Sequence, residues 1–162
     1  MPVFIHTAEP QEFFQPLDMH NERWLELALF SDRRWNTGQY PTFDELMAER
    51  DRMVMKHPKT KFILAHMSWY ANDLGRQPRA AREFFIKYQD RIVFGKDTFD
   101  PREYPHCWRM LETADEYFDP DRNYHACWKV SALDLPDAVL KKVYYQNAVR
   151  LTPGLPQTGW PR

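Results

Sequence analysis

Three short apolar runs, each reaching a side chain that can titrate or bind a metal, constrain this chain more than any other feature. "PVFIHT" (2–7) ends its run at His6, and "KFILAH" (61–66) ends its run at His66. "RIVFGKDTF" (91–99) carries an apolar stretch over 91–94 and then presents Gly95, Lys96 and Asp97. Continuous apolar runs, as opposed to alternating ones, are the pattern of strands covered on both faces, as in parallel sheets. In parallel α/β folds the residues that do chemistry stand at the carboxyl ends of the strands. One such run would mean little. Three suggest a site built from His6, His66 and Asp97 at one end of a parallel sheet.

The stretches between the runs read as helices and turns. "NERWLELALF" (21–30) has helical spacing of Trp24, Leu25, Ala28 and Leu29. Thr42 followed three residues later by Glu45 is a capping box, and the helix it opens should stop near His57, because Pro58 disfavours helical geometry before it. A helix is expected from about Pro78 through "RAAREFFIKYQ" into the third run. "YPHCWRMLETADEYF" and "DRNYHACWKVSAL" read as irregular helix or loop. "DLPDAVLKKVYYQNAVRL" (134–151) reads as an amphipathic helix with Pro136 in its first turn and an apolar stripe of Val139, Leu140, Val143, Tyr144, Ala148 and Leu151. Alternation of strands and helices makes the class α/β, with one domain over 1–152 and a loosely held tail over 153–162.

Charge and composition exclude several functions. Twenty-two basic against 23 acidic residues, a net charge of −1, offer no electrostatic footprint for nucleic acid or an anionic membrane. Apolar runs of about five residues fall far short of the roughly 20 needed to span a bilayer. The N-terminus lacks a basic and apolar leader pattern, so a cytoplasmic location is expected. Only five glycines, with no GxGxxG and no P-loop, argue against a phosphate-cradling loop. Cys107 and Cys127 make neither a disulfide framework nor a zinc knuckle and read as two reduced, partly buried thiols. The expected partner is a small-molecule substrate, with self-association into a homo-oligomer left open.

Two imidazoles and a carboxylate suit zinc first and manganese second. Such a cation activates water or polarises a carbonyl, and a histidine that is not a ligand can move protons. Each residue also has a plainer role. A single histidine is more often a hydrogen-bonded core residue than a ligand, and an aspartate after a strand is more often a turn cap. Lys96 is expected to point to solvent, Glu9 to cap its loop, and His57 to sit at a helix end where a cation suits the dipole. His20, His106 and His125 show no partner in the sequence. Asn147 and Arg150 are expected to pack and cap.

At "PVFIHT", "FILAH", "RIVFGKDTF" and "YYQNAVRL" the chain resembles the amidohydrolase superfamily, in its amidohydrolase-related branch of metal-dependent hydrolases and decarboxylases. The four motifs follow the family's order and the resemblance covers nearly the whole chain. It implies part of a (β/α)₈ TIM barrel: His6 matches the metal-ligand histidine ending the fifth strand. His66 matches the histidine ending the sixth, a ligand or an acid/base, and Asp97 the aspartate ending the eighth, a metal ligand or proton acceptor. It implies a divalent metal, zinc or manganese, acting on a small organic acid, ester or lactone.

Two departures from the family stand out. Its His-x-His pair has no counterpart, so the chain opens at what would be strand five. Only 30 residues (67–96) separate His66 from Asp97, too few for two helices and a seventh strand. The alternative expectation is therefore a non-catalytic remnant of such an enzyme, inactive or dependent on a partner.

Overall fold

The computed structural model describes residues 2–6, 10–35, 38–65, 71–96, 99–120 and 127–161. Its contacts gather into two units: one comprises Pro2–Tyr70 and Arg122–Trp128, the other Ala71–Asp121 and Lys129–Arg162. The class is α/β, with a two-stranded parallel sheet and helices.

In the first unit β1 (Val3–His6) pairs in parallel with β2 (Phe62–Ala65), in the register Val3↔Phe62 to His6↔Ala65. Between them run a 3₁₀ turn (Gln11–Phe14), α1 (Trp24–Leu29), a second 3₁₀ turn (Ser31–Arg33) and α2 (Phe43–Lys56). The sequence sets both ends of α2. Thr42 Oγ1 accepts from the Glu45 amide at 3.3 Å, the Glu45 carboxylate accepts from the Thr42 amide at 2.8 Å, and His57 forms the C-cap before Pro58. Apolar burial here is slight, led by Phe13 and Leu27. The sheet keeps much of its apolar surface in water, with Phe4 70% exposed. That departs from the two covered faces the apolar runs suggest.

What α1 buries instead is charge. The Arg23 guanidinium lies 3.0 Å from the Glu26 carboxylate, both side chains 1% exposed, and Arg33 reaches the other Glu26 oxygen at 3.0 Å. The Trp128 ring covers Arg23 at 5.1 Å. The Asn21 carboxamide donates to the carbonyls of Glu12 and Pro16 and accepts from the Arg23 amide. Burial pushes the Glu26 carboxyl above its usual range, against the pull of Arg23 and Arg33. Such a network is stable only while every charge keeps its partner.

The second unit contains α3 (Ala71–Leu74), α4 (Pro78–Lys87), α5 (Tyr104–Glu112), α6 (Asp137–Lys141), a π turn (Lys142–Gln146) and α7 (Asn147–Leu151). Its core is apolar: Ala81 and Phe85 of α4, one helical turn apart, are buried, as are Met110, Phe118, Val130, Leu133, Val139, Leu140 and Val143. Pro78 occupies the first turn of α4, where its missing N–H is not needed. Phe118 and Val130 exchange both backbone hydrogen bonds at 2.9 Å. Gly75 lies against this bridge, its carbonyl accepting from Ser131 at 2.8 Å, and a Cβ at Gly75 would stand 2.6 Å from the Val130 Cβ. Only hydrogen fits there.

Two expectations are corrected in this unit. The run over 91–94 is not a strand: 92–96 is non-helical chain whose Phe94 amide donates to the Val143 carbonyl at 2.8 Å. Its apolar content serves a helix-packed core, with Ile92 buried, and not a sheet. The last helix starts at Asp137 with Pro136 as its N-cap, and a π turn interrupts it. The terminal segment has a definite seat, since the Trp160 ring stacks on Tyr145 at 5.3 Å and 6° and the Tyr145 hydroxyl donates to the Pro161 carbonyl at 2.8 Å.

Substituting Gly75→Ala is expected to cost about 1–3 kcal/mol of stability by overpacking, read from the urea midpoint; an unchanged midpoint would contradict the close approach. Glu26→Ala should cost about 3–5 kcal/mol, because it leaves the interior Arg23 with only the more distant Glu12 carboxylate at 3.7 Å, whereas a loss under about 1 kcal/mol would be that of an exposed pair.

Candidate functional site

His6 is the last residue of β1 and stands exposed opposite Ala65, the last residue of β2. Parallel pairing makes both strands end on the same edge, and His66 is the next residue in sequence after Ala65. His66 and Asp97 themselves lie outside the described residues, as do Glu9 and His125. Imidazole and carboxylate are donor types that zinc and manganese accept. Among the described residues no group of three His, Cys, Asp or Glu is placed to hold a metal ion.

The chain that runs toward residue 97 is held by the last helix. The Asn147 side chain is buried, and its carboxamide donates to the carbonyls of Gln89 at 2.6 Å and Ile92 at 2.8 Å. Arg150 bonds to the Asp90 carbonyl and, at 3.1 Å, to Asn147 Oδ1; Lys142 pairs with the Asp90 carboxylate at 2.9 Å. The π turn supplies the last bond. The Asn147 amide bonds to the carbonyl of Lys142, five residues back, in place of Val143, four residues back. The freed Val143 carbonyl accepts from Phe94. Such turns are short interruptions of α-helices.

Lys96 does not point to solvent. Its side chain is 17% exposed and pairs with the carboxylate of Glu103, itself 10% exposed. The turn between them is closed by Asp100, which accepts from the Arg102 amide and guanidinium and whose carboxyl is thereby lowered to about 2. Sequence reading missed the Lys96–Glu103 pair because no spacing rule links residues across a turn of that length.

An aromatic cluster flanks the same segment. Phe94 meets Tyr144 edge-on at 5.5 Å and Tyr104 at 6.2 Å, and Tyr104 stacks on Trp108 at 6.1 Å. The Tyr144 hydroxyl donates to the Glu112 carboxylate at 2.7 Å. Burial, and then the Glu112 hydrogen bond and charge, push the Tyr144 phenol above its ordinary value of 10.0.

The remaining candidates take structural positions. His57 caps α2, the His20 amide donates to Asp18, and the His106 ring meets Phe118 edge-on at 5.9 Å. Cys107 is half-buried and Cys127 exposed, and they form no disulfide. No helix among the described residues is long and apolar enough to cross a membrane.

No family model, curated protein or solved structure matches the chain. The comparisons therefore add no relative from which a site could be carried over.

Because folding raises the Tyr144 value, its hydrogen bond contributes stability fully below pH 10 and loses it as pH climbs through the folded value. Wild-type and Tyr144→Phe proteins should give equal phenolate absorbance at about pH 11 while folded. An excess of one tyrosine equivalent in the wild type at that pH would show that the half-buried Tyr144 phenol ionises normally.

Proposed function

We propose that the chain derives from a metal-dependent hydrolase or decarboxylase of the amidohydrolase type, part of a (β/α)₈ barrel, acting on a small organic acid, ester or lactone. The observation that carries this reading is the parallel register of β1 and β2, with His6 opposite Ala65 at their common carboxyl edge. Chemistry in parallel α/β folds gathers at that edge. The order of the motifs at His6, His66, Asp97 and Asn147 supports it.

In this reading His6, His66 and Asp97 are the residues that would hold a divalent cation, zinc before manganese. The cation would supply Lewis acidity toward a carbonyl or a carboxylate. His6 would be a ligand through an imidazole nitrogen. His66 either ligates or moves a proton to and from the substrate. Asp97 would offset the positive charge or serve as a proton acceptor.

A second reading, a remnant that needs a partner and does no catalysis, is favoured by the sheet itself. A two-stranded sheet is marginal alone, and this one exposes Val3, Phe4 and Leu64.

Titration of the purified chain with zinc or cobalt separates the two. The enzyme reading expects one bound metal, with affinity reduced by at least about tenfold in each of His6→Ala, His66→Ala and Asp97→Asn. It also expects hydrolysis of esters or lactones, or release of carbon dioxide from aromatic acids. A chain that binds no metal and turns over none of these supports the remnant. Three variants that bind metal as the wild type does would overturn the assignment of ligands.

A further inference from the structure

The carboxyl-terminal segment and the π turn share a residue. Tyr145 lies inside the π turn, and its ring and hydroxyl are both engaged by residues 160 and 161. The Trp160 indole is oriented for this by its own N–H, which donates to the Pro156 carbonyl at 2.7 Å. The segment reaches that seat through a reversal at Gly154, whose φ of +94° favours glycine. Every contact in the seat is at the surface, and Trp160 stays 38% exposed.

The opposite side of the π turn holds the 89–94 segment. With Asn147 bonded to Lys142, the Val143 carbonyl is not taken by the Asn147 amide, and it accepts from Phe94. If the turn relaxed to α geometry, the Asn147 amide would compete with Phe94 for the Val143 carbonyl, and the turn would rotate that carbonyl relative to Phe94. Each residue of an α-helix advances by about 100°, so removing the extra residue from the turn would also swing Asn147 away from the carbonyls of Gln89 and Ile92. The register of the turn and the anchoring of 89–94 are therefore one equilibrium.

We propose that residues 156–161 are a releasable strap: seated on Tyr145, they hold the last helix in its π register and so keep 89–94 clamped, and their release loosens that segment. The device is independent of whether the chain binds metal. It gives the segment that leads to residue 97 a control point in the Trp160–Pro161 pair. A binding partner that captures this aromatic–proline pair would work it.

Amide hydrogen exchange resolved by residue tests the coupling. Trp160→Ala, and a chain ending at Thr152, should each speed exchange of the Phe94 amide by about tenfold or more, with the α4 amides of Ala81 and Phe85 unchanged. Trp160→Phe, which keeps a ring on Tyr145, should restore most of the protection. Should either disruptive variant open α4 as well, Tyr145→Phe decides. It removes only the hydroxyl bond to Pro161 and should still raise Phe94 exchange selectively. Unchanged protection of Phe94 in the variants that leave α4 intact, or in Tyr145→Phe, overturns the proposal.

Discussion

The Val143 carbonyl ties the last helix to the chain over 92–96. In an α-helix the amide four residues on would share it, in competition with Phe94. The π turn postpones that helical bond by one residue and hands the carbonyl to Phe94. The same shift faces the Asn147 carboxamide toward the carbonyls of Gln89 and Ile92. Unpaired backbone groups in an interior are costly, so a buried non-helical segment persists only where a neighbour meets its hydrogen bonds. Here the neighbour is a helix whose ladder shifts at the π turn, so that the Asn147 amide leaves the Val143 carbonyl to Phe94.

The two units are stabilised by different means. Around α4, α5 and the last helix, apolar side chains interlock, and Gly75 lets the Phe118–Val130 bridge approach to contact distance. Around α1 the interior is occupied by Arg23, Glu26 and Asn21, a polar network that specifies one arrangement through hydrogen bonds and contributes little net driving force. The parallel pair β1–β2 shares the unit with that network and leaves Phe4 and Leu64 in water. Parallel strands are ordinarily covered on both faces. The same exposed pair therefore supports both proposed readings, the carboxyl edge at His6 favouring an enzyme and the open faces favouring dependence on a partner.

Local signals were legible where the determinants are local. The Thr42–Glu45 box and Pro58 delimit α2, Pro78 opens α4, and the apolar runs at 3–5 and 62–65 form strands that pair in parallel. The run at 91–94 was misleading because an apolar stretch of four residues fits a buried strand and a helix-packed segment equally well. The choice depends on which element offers hydrogen bonds, and that element lies some fifty residues further along the chain. Lys96 was misjudged for a related reason. Its partner Glu103 is brought within reach only by the Asp100–Arg102 turn.

The amino-acid sequence by itself determined both ends of α2, the start of α4 and the two short strands, because caps, prolines and apolar runs act over a few residues. Only the tertiary structure decided that 92–96 is clamped to a helix and not paired in a sheet, that the last helix takes a π turn, and that Lys96 pairs with Glu103. Each of those outcomes turns on whether a distant group supplies the missing half of a hydrogen bond or ion pair, and no local pattern records where that distant group will be.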